Sequence, residues 1–302
     1  MKDIIIIGGG PSAMSAAVYA ARMNLNITLI TDEFGGHVPK TDIVENYLGF
    51  KSISGIELNN NFEEHLKSYD IEIIEDEKVK KIYEKNNIIE IELENNKILK
   101  SKYAIIATGS KRRELGVKGE KEFYNKGVTY CAVCDGPLFQ DQNVAVIGGS
   151  YSGTKSAIYL SKIAKQVYII ELDDKLKGEN ILIEEINKIK NIEVITKAKT
   201  TEIYGNDFVE GLKYEKDNKI NDLKVNGITI EIGLIPNSDL IEVEKNKKNQ
   251  IIVDDDMRTS NKKIFAVGDV NNKGPEQIIV AAAQGCIAAL KISEEIKWKR
   301  KY

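Results

Sequence analysis

Two glycine-rich turns constrain the fold of this 302-residue chain more than any other feature. Each follows a short apolar run, at residues 4–7 and 144–147, and each precedes a stretch of helical periodicity. The pattern predicts a buried strand, a tight turn and a helix, which together begin a βαβ unit. Further Ile-rich runs alternate with helical segments, as buried parallel strands do. The sequence therefore predicts an α/β protein with two Rossmann-like dinucleotide-binding domains.

The order of the predicted elements also indicates how the domains are arranged. Strand-forming sequence resumes at residue 237 and leads to a helix predicted over residues 276–297. We therefore expect one domain built from residues 1–112 and 239–302, with a second domain, residues 113–238, inserted in it.

Composition excludes several classes of protein. Hydrophobic residues make up 42% of the chain and charged residues 29%, and the net charge of −3 gives no general attraction to nucleic acid. No apolar run approaches the roughly 20 residues that cross a bilayer. The N-terminus lacks the cleavage pattern of a signal peptide. We expect a cytoplasmic protein without membrane or nucleic-acid partners.

The first glycine turn has the spacing of a dinucleotide-binding motif, Gly8-x-Gly10-x-x-Ala13. Its first glycine permits a tight turn, the second lets the backbone approach a pyrophosphate, and the small third residue lets helix and strand pack closely. Asp32 and Glu33 follow the next predicted strand, about 20 residues on, where an acid can bind ribose hydroxyls. The motif itself does not distinguish FAD from a nicotinamide nucleotide.

Two later strand ends favour FAD. One predicted strand ends in Ala107-Thr108-Gly109, and another ends in Gly268-Asp269. An acid at the end of a strand can hold a polyol chain such as the ribitol of FAD. In this order, after an N-terminal dinucleotide motif, these segments resemble those of two-dinucleotide flavoprotein oxidoreductases.

A Cys131-x-x-Cys134 pair lies just before the second glycine turn. Thiols in this spacing can close a small disulfide ring, and one of them is often acidified. Such a dithiol can attack a partner disulfide through a mixed disulfide. The adjacent Asp135 could exchange a proton with the leaving thiolate.

The cysteine pair has two other interpretations. A zinc site needs four ligands, and the chain offers only Cys286, His37 and His65 besides the pair, which disfavours zinc. A pair of inert buried thiols stays open as an alternative. Cys286 lies in an apolar helical segment and is assigned no role.

Together these motifs resemble the low-molecular-weight thioredoxin reductases, from about Asp3 to Glu295. Cys-Ala-x-Cys-Asp-Gly is the most specific of the shared motifs. The matching pieces are the Gly8–Ala13 motif, Gly35-Gly36-His37, Val44-Glu45-Asn46-Tyr47-x-Gly49, Ala107-Thr108-Gly109, Cys131-Ala132-Val133-Cys134-Asp135-Gly136, Gly268-Asp269 and Glu276-Gln277-Ile278-Ile279.

The resemblance implies a two-dinucleotide flavoprotein fold, an FAD cofactor, a homodimer, and thioredoxin or a thioredoxin-like protein as substrate. It implies that Cys134 faces the flavin, that Cys131 attacks the partner disulfide, and that Asp135 is the acid–base group. His37 departs from the glutamine that is usual in the family. The residues carried over to FAD by position are Gly8, Gly10, Pro11, Ser12, Ala13, Asp32, Glu33, Gly36, His37, Asn46, Val79, Ala107, Thr108, Gly109, Asp269, Gln277, Ile278 and Ile279.

The second glycine turn departs from the family's NADPH site. Ser150 replaces the glycine that would let the backbone approach a pyrophosphate. The family's basic cluster for the 2′-phosphate is replaced by Glu171-Leu172-Asp173-Asp174, whose carboxylates would repel a phosphate. We therefore expect that NADPH is not the donor. NADH stays possible, because an acid such as Glu171 can bind free ribose hydroxyls.

The loss of nucleotide motifs resembles the ferredoxin-dependent flavin thioredoxin reductases of anaerobes. The resemblance implies reduced ferredoxin as the electron donor, with the basic segments 111–113 and 297–301 as candidate docking surfaces. Two alternatives stay open. One is an NADH- or NADPH-dependent thioredoxin reductase with a divergent nucleotide site. The other is a flavin-binding redox sensor without enzymatic activity.

Overall fold

The computed structural model describes residues 1–41, 43–44, 46–130 and 132–299, without the side chains of Ile43, Val133, Cys134, Trp298 and Lys299. The chain divides into two compact units. Unit 1 comprises Met1–Lys111 and Ile235–Tyr302, and unit 2 comprises Arg112–Leu234. Within the described ranges, no helix has the length and apolar character to cross a membrane.

The N-terminal part of unit 1 alternates strands with two helices and then turns back in an antiparallel extension. Its elements are β1 (Lys2–Ile7), α1 (Pro11–Arg22), β2 (Ile27–Ile30), β3 (Ile43–Val44), β4 (Ile53–Ser54), α2 (Gly55–Lys67), β5 (Glu72–Ile74), β6 (Val79–Lys85), β7 (Ile88–Leu93), β8 (Ile98–Ile106) and, at its end, β9 (Ser110–Arg112).

Unit 2 repeats the alternation and adds an antiparallel sheet. Its elements are β10 (Val128–Thr129), α3 (Ala132–Asp135), β11 (Asn143–Ile147), α4 (Tyr151–Ser161), β12 (Gln166–Ile170), α5 (Asn180–Ile186), β13 (Ile192–Ile195), β14 (Lys199–Gly205), β15 (Val209–Lys216), β16 (Lys219–Leu223) and β17 (Gly227–Ile230). The chain then returns to unit 1 through β18 (Leu234–Pro236), β19 (Ile264–Ala266) and α6 (Ile278–Lys299).

The main sheet of unit 1 has the strand order β5-β2-β1-β8-β7-β6, and β19 pairs with the end of β8. Strands β5, β2, β1, β8 and β19 run parallel, whereas β7 and β6 are antiparallel. The side chains of Ile4, Ile5 and Ile6 are almost completely buried, as expected for a central parallel strand. The parallel strands all end at one edge, and this edge positions the candidate site.

The main sheet of unit 2 is parallel throughout, with the order β10-β17-β11-β12-β13. Strands β14, β15 and β16 form a separate antiparallel sheet. Each unit thus contains a parallel sheet in which a glycine turn follows a central strand. The predicted α/β fold with two Rossmann-like units is confirmed.

Helix α6 packs closely against α1, and a glycine makes the approach possible. A methyl group on Gly285 would lie 2.1 Å from the backbone oxygen of Ser12. The Ser15 hydroxyl donates a 2.7 Å hydrogen bond to the carbonyl oxygen of Ala282 on the facing helix. Helix α6 begins at Ile278, two residues after the predicted start at residue 276.

Gly285→Ala is expected to destabilise the protein by about 1–3 kcal/mol, because the added methyl group would overlap rigid backbone. Helix propensity alone predicts the opposite sign, a gain of roughly 1 kcal/mol when alanine replaces glycine in a helix. The free energy of urea unfolding distinguishes the two. The control is Ala283→Gly at an exposed position of the same helix, which should cost about 1 kcal/mol through propensity alone. A more stable Gly285→Ala variant would show that the two helices can move apart freely.

Candidate functional site

The first glycine turn packs closely against the chain at Gly8 and leaves open space at Gly10. The Gly8 N–H donates to the Ile30 carbonyl oxygen at 2.8 Å. Gly8 has a φ of +124°, and a methyl group there would lie 2.2 Å from the carbonyl oxygen of Ala107. Around Gly10, the residue before α1, no atom of the described residues other than its neighbours in the chain lies within 4 Å of the position that a methyl group would take. The turn therefore leaves room for a ligand beside the free N–H groups at the start of α1.

The two predicted ribose-binding acids lie beyond the end of β2. Asp32 pairs with Lys78 at 3.1 Å and Glu33 pairs with Lys40 at 3.2 Å. Both acidic side chains are more than half exposed. The Thr31 hydroxyl donates to the Glu33 carbonyl oxygen at 2.6 Å and fixes the backbone here. The carboxylates can exchange these surface pairs for a ligand's hydroxyls at little cost.

Asp269 lies at the end of the segment that follows β19, beside a buried pair of amide side chains. The Gln284 side-chain oxygen accepts hydrogen bonds from the Gly268 N–H and the Asn271 amide, both at 2.7 Å. The Gln284 amide donates to the Lys273 carbonyl oxygen at 2.7 Å. These bonds fix the backbone on both sides of Asp269. Asp269, Asn271 and Gln284 line a small pocket.

The pKa of the Asp269 carboxyl group is shifted by its surroundings. Burial raises the pKa of its carboxyl group, and the nearby Ser110 hydroxyl partly opposes the rise. A charged carboxylate is therefore less favourable here than in water. A ligand that donates hydroxyl hydrogen bonds to it would recover part of that cost.

Three residues predicted to lie along the flavin, His37, Asn46 and Gln277, make contacts with residues distant in sequence. The Asn46 amide donates to the Gln277 side-chain oxygen at 2.9 Å, although 231 residues separate them. The His37 Nε2 atom is 2.8 Å from the carbonyl oxygen of Ser110. Sequence reasoning identified these residues but not their contacts with each other or with Ser110.

The remaining predicted cofactor residues have mixed surroundings. The side chains of Ser12, Ala13 and Ala107 are buried, so that only their backbone groups are available to a ligand. The Thr108 hydroxyl is engaged with the Asn237 carbonyl oxygen at 2.7 Å. Within the part of the chain that the structure describes, only neighbours in sequence lie within 4 Å of the methyl position of Gly109. The others are Pro11 at the first position of α1, Gly36 with a φ of +59°, Val79 at the start of β6, Ile278 packed on a small core cluster, and the exposed Ile279.

Cys131 lies outside the described residues, and only the backbone of Cys134 is described, in helix α3. The Asp135 carboxylate accepts a hydrogen bond from the Thr129 hydroxyl. Burial lowers the pKa of Arg112, and the negative charges of Glu231 and Asp135 oppose that change. Among the described residues, no cluster of His, Cys, Asp and Glu could hold a metal ion.

The second glycine turn reproduces the backbone of the first. The Gly148 N–H donates to the Ile170 carbonyl oxygen at 2.9 Å, and Gly148 has a φ of +107°. Ser150 has φ −76° and ψ −174°, close to the −79° and 178° of Gly10. The backbone therefore does not require glycine at this position. Ser150 instead changes the space at the start of α4, because it adds a side chain there.

Glu171 is not one of several equivalent surface acids. Its side chain is buried, and one carboxylate oxygen accepts the Gly149 N–H at 2.5 Å. The other oxygen accepts the Asp173 N–H at 2.8 Å. Asp173 and Asp174 are exposed, and Asp173 pairs with Lys177. The three acids are therefore not equivalent, because Glu171 faces the glycine turn whereas Asp173 pairs with Lys177 at the surface.

The family model for pyridine nucleotide-disulphide oxidoreductases matches residues 2–285, which include both glycine turns and the cysteine pair. The chain belongs to this family. Two named relatives resemble it over almost its whole length. An NADH dehydrogenase of Ferdinandcohnia aciditolerans is 41% identical over 95% of this chain and 56% of its own length. An alkyl hydroperoxide reductase component of Staphylococcus aureus is 39% identical over 97% of this chain and 59% of its own. The chain thus spans less than two thirds of the length of these relatives.

Solved structures of thioredoxin reductases match almost the whole chain. Lactococcus lactis thioredoxin reductase superposes with a TM-score of 0.85 at 34% identity, covering 97% of this chain and 98% of its own. A ferredoxin-flavin thioredoxin reductase of Clostridium acetobutylicum gives a TM-score of 0.54 at 34% identity, covering 98% and 99%. These findings support an oxidoreductase of the thioredoxin reductase type. They do not confirm ferredoxin dependence.

Sequence reasoning missed Gln284 and Asn271, which hold the backbone around Asp269. A usable signal was present for Gln284, since it is a polar residue in the apolar segment Ala281-Ala282-Ala283-Gln284-Gly285 of a buried helix. A buried amide normally has hydrogen-bond partners, so such a residue indicates a fixed polar contact. Asn271 offers no comparable signal.

Asp269→Asn is expected to raise the melting temperature of the FAD-free protein at pH 7. A carboxyl group whose pKa is raised by folding favours the folded state only while it is protonated, and that contribution is lost as the pH rises through the raised pKa. The advantage of the variant should therefore be small near pH 4 and grow toward pH 7. The control is Asp255→Asn, because Asp255 is exposed and Lys273 lowers its pKa. Equal melting temperatures of the wild type and Asp269→Asn across this range would contradict the prediction.

Proposed function

We propose that this protein is an NADH-dependent flavoprotein disulfide reductase, which transfers electrons through FAD and the Cys131–Cys134 pair to thioredoxin or a thioredoxin-like protein. The observation that carries the choice of donor is the position of Glu171. It follows β12, and its carboxylate is held against the second glycine turn by the Gly149 N–H. An acid at this point of a βαβ unit accepts the free ribose hydroxyls of NADH and repels the 2′-phosphate of NADPH.

The Glu171 carboxylate keeps accepting capacity for a ligand. Each of its oxygens receives one backbone N–H, and a carboxylate offers about four lone-pair sites in all. The two backbone bonds also fix the direction of the group before any nucleotide binds. The names of the relatives agree with this assignment, since one of them is an NADH dehydrogenase.

The FAD assignment rests on the open face of the first glycine turn and on the family. We propose that the N–H groups beyond Gly10 hold the pyrophosphate, that Glu33 holds the adenosine ribose, and that Asp269 holds the ribitol. The empty space at Gly10 fits a group that needs close backbone approach. When bound, FAD accepts a pair of electrons from the donor and supplies them to the cysteine pair. The net reaction converts NADH, a proton and a disulfide to NAD⁺ and two thiols.

We further propose that residues 113–238 act as the domain that carries the redox-active disulfide and the nucleotide site. The cysteine pair and the second glycine turn lie 14 residues apart in sequence, counted from Cys134 to Gly148, and both belong to unit 2. One unit would then hold both the electron donor's binding site and the outgoing dithiol.

A second candidate donor is reduced ferredoxin, which one observation favours. Ser150 adds a side chain where Gly10 leaves open space, although the backbone is the same at both turns. That side chain narrows the approach of a pyrophosphate. Of the candidate docking segments, Lys111 and Arg113 are exposed and Arg112 is half-buried. In segment 297–301, Lys297 is exposed, and Arg300 and Lys301 lie outside the described residues.

An anaerobic titration of the FAD-loaded protein separates the donors. We expect NADH to bleach the visible flavin absorbance within seconds, NADPH to act much more slowly, and thiols to form when oxidised thioredoxin is added. Cys134→Ser should bleach normally and form no thiols. If reduced ferredoxin alone bleaches the flavin, ferredoxin is the electron donor. If the reduced flavin passes no electrons to disulfides, the protein is a flavin-binding protein without reductase activity.

Glu171→Gln is expected to raise the KM for NADH about tenfold, because a charge-assisted hydrogen bond to the ribose is weakened. It should also reduce the preference for NADH over NADPH. Asp174→Asn is the control, since it removes the same charge from an exposed position three residues away. If both variants keep the wild-type KM for NADH, Glu171 serves only to hold the glycine turn.

A further inference from the structure

We infer that Thr129 is a positioning residue, which holds the carboxyl group of Asp135 in place for proton exchange at the cysteine pair. The inference rests on the proposed function, because it takes Asp135 as the acid–base group of disulfide reduction. Its own basis is a side-chain contact between residues on either side of the Cys-x-x-Cys segment. Neither the family resemblance nor the sequence motifs assign a role to Thr129.

The Thr129 hydroxyl donates a hydrogen bond to a carboxylate oxygen of Asp135, six residues further along the chain. Cys131 and Cys134 both lie within that interval. The hydrogen bond therefore joins the residue at the end of β10 to the last residue of α3 and closes the segment that carries both cysteines. The bond fixes the direction of the Asp135 carboxyl group relative to strand β10.

Thr129 can act as an anchor because its own position is fixed. Its side chain is 3% exposed, and β10 pairs with β17 in a register that places Thr129 beside Thr229. Strand β17 in turn pairs with the central strand β11 of the sheet. A β-branched side chain in a buried strand has a restricted χ1 angle, so the direction of its hydroxyl is also limited.

The charges around Asp135 explain why its direction needs fixing. Arg112 experiences the negative charges of both Asp135 and Glu231, and burial makes its own charge costly. An unrestrained Asp135 carboxylate would be drawn toward this guanidinium. Glu231 is itself held by the Ser156 hydroxyl at 2.7 Å. A second fixed hydroxyl, that of Thr129, gives Asp135 an equivalent restraint.

The proton steps concerned are balanced within the thiol–disulfide exchange. A thiolate of the reduced pair attacks the partner disulfide, a mixed disulfide forms, and the departing partner sulfur takes the proton of the Asp135 carboxyl group. Asp135 then takes the proton of the second thiol of the pair. That sulfur attacks the mixed disulfide, the intramolecular disulfide forms, and solvent protonates the second partner sulfur.

The test is a single-turnover measurement with the FAD-loaded protein reduced beforehand by dithionite and mixed with oxidised thioredoxin. This procedure does not depend on the identity of the natural donor. Thr129→Val, which keeps the shape and removes the hydroxyl, should slow thiol formation about tenfold without changing the thioredoxin concentration at half-maximal rate. Thr129→Ser, which restores the hydroxyl, should recover the rate to within about twofold.

Thr229→Val is the matched control. Thr229 is the register neighbour of Thr129, is 1% exposed, and its hydroxyl has no hydrogen-bond partner in the part of the chain that the structure describes. This variant should keep the wild-type rate. Melting temperatures of all variants establish whether any loss of rate reflects unfolding.

A double variant separates the inference from the proposed function. Asp135→Asn should slow thiol formation about a hundredfold or more, and adding Thr129→Val should cause no further loss, because residues that act as a unit are not additive. An undiminished rate in Thr129→Val, or an additive loss in the double variant, would overturn the role of Thr129 alone. An undiminished rate in Asp135→Asn would overturn both assignments, and a wild-type protein that forms no thiols would overturn the proposed function itself.

Discussion

The structure of unit 1 depends on the contact between Gly8 and the carbonyl oxygen of Ala107. A methyl group on Gly8 would lie 2.2 Å from that oxygen, so β1 and β8 can end side by side only if this residue has no side chain. The Ala107 N–H also donates to the Ile7 carbonyl oxygen at 2.8 Å. With these two ends fixed, the open positions at Gly10 and Gly109 lie at the same edge of the sheet. Unit 2 repeats the constraint, because a methyl group on Gly148 would lie 2.3 Å from the Glu231 carbonyl oxygen.

The two glycine turns differ in what their acids do. At the first turn Glu33 is exposed and pairs with a lysine, whereas at the second turn Glu171 is buried and accepts the N–H of a turn residue. A surface acid can adjust to its ligand, while a buried acid held by two backbone groups has its direction set in advance. This difference favours a nucleotide with free ribose hydroxyls at the second turn. Ser150 alters the space at the second turn but leaves the backbone hydrogen bonds to Glu171 in place.

Much of the fold was predictable because it follows from local patterns. Buried Ile-rich runs and glycine spacing indicate parallel strands and tight turns without knowledge of distant contacts. The contacts that complete the site, in contrast, join residues that are distant in the sequence. The Asn46–Gln277 bond joins residues 231 positions apart, and the Gln284 bonds to Gly268 and Asn271 depend on how a helix approaches a loop. Nor could the sequence distinguish the buried Glu171 from the exposed Asp173 and Asp174, since adjacent acids look equivalent until the backbone bonds are known.

The covering of α1 by α6 has a consequence for the order in which the protein is made. Strands β1, β2 and β8 are synthesised early, but α6, which packs against α1 through Gly285, is synthesised after all of unit 2. On the ribosome, the apolar surface that α6 will cover on α1 stays exposed while residues 112–234 emerge. The inserted unit can complete its own sheet in this interval. Unit 1, which contains the N-terminus, is thus the last unit to complete its core packing.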